Sequence, residues 1–473
     1  MMTTSIDRVL ARVDANQQAA ITRLCALLRI PSNSFDPAHH ADCEQAAHWC
    51  ARALESLGFT ASVRPTIGHP MVVGHRVSKT AGARHLLFYG HYDVQPPDPL
   101  DLWHAPPYEP QLLEHPVHGK ILVARGASDD KGQLMTFIEA ARAWIETEGD
   151  LPVSLTVLIE GDEEADSAPL DGFLKANADE LKAELALVCD SGAWDAQTPA
   201  ITTSLRGYAG AEITVRGPSR DLHSGTYGGA AINPIRALSD LIAGLHDADG
   251  RVAIPGFYDG IEEVSPAQRS AWQRLGFDPD EFMAEAGLTQ SVGERGRSVL
   301  ELIWARPTAD VNGIWGGYQG PGSKTVIPSQ AHAKVSFRLV PGQDHRAIIP
   351  KLEAFLRQRL MADCVLEVKP WDASRAAAFD PGLPFMRRAA AALVEEWGRE
   401  PAFMGSGGSI PIVAAFKDLL GMDSLMIGFA LDDDGAHSPN EKYNLSAFAK
   451  GCRSWARVLA HLAAPGAINR STP

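Results

Sequence analysis

The stretch HLLFYGHYDV, residues 85–94, decides how the chain is read. Residues 85–89 form a largely apolar run closed by Gly90, short enough for a strand buried on both faces. An imidazole and a carboxylate, His91 and Asp93, follow at once. Residues 154–159, 185–189 and 424–429 are runs of the same kind, separated by helical segments. That alternation predicts an α/β domain with a mostly parallel sheet. Around these runs, Val9, Leu10, Val13, Ile21, Leu24 and Leu28 recur at helical spacing until Pro31-Ser32. A second helix is expected over 43–57, ended by Gly58. The apolar stretch 134–145, broken by Glu139 and Arg142, reads as an amphipathic helix.

At 473 residues the chain exceeds what one core supports, since single cores stop growing near roughly 250–300 residues. Two domains are expected: a discontinuous one from 1–206 and 380–473, and an insertion from 207–379. Within the insertion, 211–215 and 331–339 alternate like half-exposed strands and 233–245 looks helical, which predicts an α+β domain. Arg206-Gly207-Tyr208 and Asp380-Pro381-Gly382 supply the hinges, and 464–473 reads as a loose tail. The net charge of -15 argues against nonspecific nucleic-acid binding. Cys25, Cys43, Cys50, Cys189, Cys364 and Cys452 are scattered without a CxxC pair, so reduced thiols are expected. The polar first residues show no secretion signal, and no apolar run reaches about 18 residues. A cytoplasmic protein that does not engage membranes is the default expectation.

Five clusters of acids and histidines fall at or near the ends of these runs, where an open α/β sheet binds ligands. They are His91 to Asp93; Asp129 and Asp130 in the RGASDDKG stretch 125–132; Glu163 and Glu164 in EGDEE, 160–164; Asp190; and His437 in DDDGAHS, 432–438. Carboxylates gathered in one cleft are unfavourable unless protons or cations neutralise them. Two divalent ions sharing a carboxylate would do so, and would polarise a carbonyl while generating hydroxide near neutral pH. Imidazole and carboxylate ligands suit zinc first, with manganese or cobalt as alternatives.

Read together, these stretches resemble the M20 metallopeptidases, in particular the dipeptidases related to carnosine dipeptidase. The matching segments are GHYDVQP (90–96), Arg125-Gly126 with DDKG (129–132), EGDEE (160–164) and Asp190, then DLHSG (221–225), KTVIP (324–328), GGSIP (407–411) and GAHS (435–438). The resemblance implies a di-metal catalytic domain with an inserted lid and dimerisation domain, acting as a homodimer on dipeptides or short peptides. It implies that Asp129 bridges two metals, that His91 and Asp190 complete one site, and that Glu164 and His437 complete the other. Glu163 would be the general base and Asp93 would orient His91. His223 would reach the oxyanion from a partner subunit, Arg338 would hold the substrate carboxylate, and Thr325 and Ser409 would add hydrogen bonds. Asp at position 190 accompanies dipeptidase and aminopeptidase activity in that family. Where relatives commonly carry Arg-Glu before the Gly-Gly-Ser-Ile-Pro stretch, this chain has Gly405 and Ser406.

Each of these residues also has a plainer reading. His91 alone is an ordinary hydrogen-bonded histidine; Glu163 and Glu164 suit a solvated helix N-terminus; residues 432–434 suit a turn. Arg338 lies in an alternating stretch whose charges could face water. His39, His40, His104, His115, His118 and His332 show no ligand spacing, and Met404, Trp315 and Tyr318 point to no role. Two other functions compete with dipeptide hydrolysis: metal-dependent hydrolysis of N-acyl or N-carbamoyl amino acids, and binding without catalysis. A nucleotide site is not supported, because no G-x-G-x-x-G or P-loop pattern follows a strand.

Overall fold

In the computed structural model the 85–91 segment is a strand whose residues Leu86, Leu87, Phe88 and Tyr89 have no solvent exposure. The structure describes residues 4–165, 167–371 and 373–468, so the second half of the expected tail, 469–473, lies outside the described residues. The chain divides into two units. One comprises Met1–Thr203, Phe379–Met404 and Ala415–Pro473; the other comprises Ser204–Ala378 and Gly405–Ala414.

The first unit contains α1 (Ser5–Leu28), α2 (His40–Glu55) and α3 (Lys131–Glu148). Its strands are β1 (Thr60–Arg64), β2 (Met71–Arg76), β3 (His85–His91), β4 (Gln111–His115), β5 (Gly119–Val123), β6 (Ser154–Glu160), β7 (Leu185–Val188) and, up to Thr203, β8 (Ala200–Leu205). The main sheet runs β1-β2-β6-β3-β7, then Ser424–Met426, then β8. β6, β3, β7 and Ser424–Met426 are parallel neighbours, while β1, β2 and β8 pair antiparallel on either side. All four parallel strands end on the same edge, so the residues that follow them collect there.

Helix α3 was expected to show water one charged face, yet nearly every residue from Lys131 to Trp144 is buried. It lies between β3 and other helices: Phe137 stacks on Phe88 at 3.6 Å, and Trp455 of the C-terminal helix Leu445–Ala463 meets both rings edge-on. Glu139 is accordingly not solvated. It accepts from Arg23 of α1 at 2.7 Å, a buried charge neutralised by a guanidinium fork. Lys131 donates to the carbonyls of Ile30 at 2.8 Å and Leu27 at 3.3 Å, satisfying the end of α1. All six cysteines are free, and no helix among the described residues is long and apolar enough to cross a membrane.

The second unit is built on a four-stranded antiparallel sheet in the order Thr308–Gly316, Gln330–Leu339, Gly207–Arg216, Val365–Pro370. Along Gln330–Leu339 buried residues alternate with more exposed ones. Ala331, Ala333, Val335, Phe337 and Leu339 join a core with Leu238 and Leu241 of helix Pro234–Ala243 and Leu352 and Phe355 of helix His345–Arg359. Asn233 caps the first of these helices by accepting from the Ile235 N–H at 3.0 Å.

Close packing at the start of α3 makes one glycine indispensable. A Cβ on Gly132 would collide with the Ala127 carbonyl oxygen and stand 2.7 Å from the Tyr443 ring. Gly132→Ala should therefore lower unfolding stability by about 1–3 kcal/mol, read from urea denaturation. Unchanged stability would mean that the loop before α3 is not fixed as described.

Candidate metal centre

Each acidic or histidine cluster expected from the sequence lies at the carboxyl edge of the parallel strands or beside it. His91 is the last residue of β3, Glu163 and Glu164 follow β6, and Asp190 follows β7. Asp129 ends the loop before α3, and His437 lies in the loop after Ser424–Met426. Two groups of ligand-type atoms result, each with its atoms within 4.8 Å of one another: His91, Glu163 and Asp190; and Asp129, Glu164 and His437. Asp129 joins them, since its Oδ1 is 3.3 Å from His91 Nε2 and its Oδ2 is 2.9 Å from His437 Nε2. Glu164 Oε2 is 3.3 Å from the same His437 nitrogen.

These side chains are held from behind. His91 Nδ1 lies 3.2 Å from Asp93 Oδ1, which leaves Nε2 facing Asp129. Asp93 Oδ2 accepts from the Glu164 N–H at 3.0 Å and the Ser34 hydroxyl at 2.7 Å. The Glu164 carboxylate accepts from Gln95 Nε2 at 2.8 Å, and Asp130 accepts from the His91 N–H at 3.1 Å. Behind Asp129 stands a fully buried acid, Glu441. It accepts from the N–H groups of Gly126, Ser128 and Asp129 at 2.7, 2.8 and 3.0 Å and from Arg125 at 2.8 Å. One short segment thus supplies His437 and, four residues on, the anion around which the Asp129 loop is wrapped. His437 itself has φ 61°, a left-handed conformation uncommon outside glycine and asparagine.

The charges are strongly coupled. Burial pushes Glu163 well above the usual carboxylate range; Asp190, Glu164 and Asp129 push the same way, against His91. Burial likewise lifts Asp190 to about 7. Burial would raise Asp129 too, but the His437 and His91 imidazoles set against its two oxygens outweigh it and hold Asp129 below its ordinary value. The same contacts with Asp129 and Glu164 raise His437 to about 10. Such a cluster takes up protons unless dications replace them.

The residues fit divalent ions on two counts. His91 Nε2 and Glu164 Oε1 are buried without a hydrogen-bond partner, one in each group. Buried polar atoms are rarely left so unless something completes them. Two ligands about 2.1 Å from one ion at a tetrahedral angle lie roughly 3.4 Å apart, close to the 2.9–3.3 Å separations measured here.

The remaining expected site residues belong to the second unit. His223 and Thr325 come together there: the short strand Leu222–His223 pairs with Val326–Ile327, and Ser224 N–H donates to Thr325 O at 3.0 Å. His223 Nδ1 accepts from the Gly225 N–H at 3.0 Å, and both residues are exposed. Arg338 lies opposite Tyr208, with its guanidinium carbon 5.5 Å from the ring centre. Ser409 is in the loop before helix Pro411–Leu420. Several expected bystanders have structural partners: His118 lies 2.6 Å from Asp433, His39 pairs with Asp42, and Asp434 is buried on Lys442. Sequence reasoning missed Glu441, Gln95 and Ser34. Gln95 and Glu441 each stand four residues from a site histidine, but their partners are set only by the fold.

Comparison with known proteins places this geometry in context. Residues 87–461 match the model for peptidase family M20/M25/M40. The chain is 30% identical to a Cys-Gly metallodipeptidase of Candida albicans over 92% of each chain. It is 31% identical to the Beta-Ala-His dipeptidase of Homo sapiens, over 80% of this chain and 75% of that one. A solved dipeptidase from Saccharomyces cerevisiae superposes with a TM-score of 0.82 at 27% identity, covering 98% of this chain and 99% of the other. With a family match over most of its length and a 30%-identical relative spanning nearly all of it, the chain belongs to peptidase family M20/M25/M40 and is a hydrolase of that family.

Proposed function

We propose that the protein hydrolyses the peptide bond of dipeptides, and of short peptides, with two divalent ions held by the groups described above. The observation that carries this reading is the Asp129 carboxylate, whose two oxygens face two different imidazoles. Asp129 would serve both ions, with His91 and Asp190 holding one and Glu164 and His437 the other. Zinc is the first choice, with manganese or cobalt as substitutes. When bound, the ions would polarise the scissile carbonyl and lower the pKa of the attacking water.

Glu163 is the general base: its carboxylate takes a proton from that water and passes it to the leaving amine. Asp93 keeps His91 in the tautomer whose Nε2 is free to ligate. Arg338 holds the substrate carboxylate, Thr325 and Ser409 bond the peptide, and His223 of the partner subunit meets the developing oxyanion. The active form is then a cytoplasmic homodimer, with the second unit as lid and dimerisation domain. Hydrolysis of N-acyl or N-carbamoyl amino acids is not favoured, because the relatives that match across most of the chain are dipeptidases.

Three outcomes are expected. Stripping metal should abolish cleavage of a dipeptide panel, and restoring zinc or manganese should return it, while N-acetylated counterparts stay poor substrates; the reverse preference would move the enzyme to deacylation. Glu163→Gln should keep two metals by elemental analysis yet lose about 10²–10⁴ in kcat, whereas Asp129→Ala should lose metal and activity together. Because Glu163 also stands within ligand reach of His91 and Asp190, a Glu163→Gln protein lacking one ion would make it a ligand instead. Sedimentation should show a dimer, and His223→Ala should lower kcat while leaving both the dimer and its metals intact. A fully active monomer would exclude the role given to His223.

A further inference from the structure

Arg206 falls between β8 and Gly207–Arg216 and is half-buried. Its N–H donates to Gly408 O at 3.1 Å and its Nε to Gly407 O at 3.0 Å, which lays the guanidinium along the loop that carries Ser409. A Cβ on Gly407 would stand 3.0 Å from Nη2, so the bare glycine makes room for the fork. Among the described residues no acceptor meets Nη1 or Nη2, and no carboxylate forms an ion pair with the group. Residues 405–410 contain no acid, and the Ser406 hydroxyl is engaged by the Gly408 N–H at 3.1 Å.

A second guanidinium is close enough to act on the first through its charge. Arg338 is the register partner of Tyr208, two residues from Arg206, and it too has no ion pair among the described residues. Burial draws the Arg206 pKa down to about 10; Arg338 acts in the same direction and Asp310 opposes it. Asp310 is exposed and accepts from the Thr308 hydroxyl at 2.8 Å, so it bridges neither arginine. Two cations partly withdrawn from water with no counter-ion are unfavourable. Such a pair is a fit for anions, because each planar fork matches a carboxylate bidentately.

We propose that Arg206 is a second carboxylate-binding residue beside Arg338, so that the enzyme selects dipeptides whose C-terminal residue is itself acidic, aspartate or glutamate. This rests on the dipeptidase reading above: the terminal carboxylate takes Arg338, and the side-chain carboxylate takes the open fork of Arg206. Alanylglutamate and alanylglutamine have nearly the same shape and differ in that charge alone.

Their kcat/KM values are to be compared in the parent, Arg206→Gln and Arg206→Lys. The parent should prefer alanylglutamate by about ten- to a hundredfold, carried mainly by KM. Arg206→Gln should bring the ratio to within about twofold of one, and Arg206→Lys should keep part of the preference as a point charge. A parent ratio near one, or a ratio that survives Arg206→Gln, overturns the proposal. If the parent cleaves neither peptide, the dipeptide reading fails separately. The anion site is then read by calorimetric titration with L-glutamate and L-glutamine. Glutamate binding at least about tenfold tighter in the parent but not in Arg206→Gln sustains the proposal, and equal binding refutes it.

Discussion

The contact on which the rest depends is the sharing of one carboxylate, Asp129, between two imidazoles that come from opposite ends of the chain. His91 and His437 are 346 positions apart in sequence, yet each lies within 3.3 Å of an oxygen of the same side chain. The sheet makes this possible. β6, β3, β7 and Ser424–Met426 are parallel neighbours, so their ends and following loops converge: His91 closes β3, Asp190, Glu163 and Glu164 stand two to four positions beyond β7 and β6, and only His437, eleven positions past Met426, is carried in by a longer loop. The convergence is electrostatically costly, because Glu163, Glu164, Asp129 and Asp190 meet two histidines in a region largely removed from water. Elevated proton affinities of three of these four acids express that cost, and metal binding relieves it by mass action on the folded state alone.

A second buried anion steadies the arrangement without entering it. Glu441 receives three backbone N–H groups and a guanidinium, which is how a buried carboxylate is made tolerable: every lone pair is directed at a donor and the charge is met by Arg125. The loop wrapped around it delivers Asp129 at a fixed place. Since Glu441 and His437 share one short segment, a displacement of that segment would move the His437 imidazole and the Asp129 carboxylate together.

How much of this was legible depends on where the information sits. The parallel strands could be read because burial on both faces demands short apolar runs; His91, Glu163, Glu164 and Asp190 drew notice because each stands close to the end of such a run, whereas His437 stood out only through the family resemblance. β1 and β2 were not read, since TASVR is only half-buried and MVVGHR ends in polar residues, so neither declares itself as a core strand. α3 was read as a helix but misjudged in its surroundings: Glu139 and Arg142 look like a wet face until Arg23, 116 positions earlier, is seen to neutralise the acid. Glu441 could not be found from the sequence, because its partners are backbone N–H groups that only the fold brings near. The roles of His223, Thr325, Arg338 and Ser409 came from family resemblance, and the second unit described by itself assigns them neighbours rather than functions.

The departure at Gly405 has a steric basis that sequence comparison does not reveal. A Cβ at position 405 would stand 2.7 Å from Cβ and 2.8 Å from Cγ of Trp304, with the Ser204 hydroxyl oxygen at 2.9 Å. Trp304 is buried and meets Trp272 edge-on, so it cannot swing away without opening that contact. The space that an arginine side chain would need is therefore filled by an indole belonging to the same unit. Glycine at 405 and tryptophan at 304 are two halves of one packing solution. Replacing the glycine alone restores no guanidinium to this loop; it forces apart a tightly packed wall. The cationic character of the region consequently rests on Arg206, at the junction of β8 with the strand that carries Tyr208, and on Arg338, on the strand paired with Tyr208, and owes nothing to residue 405.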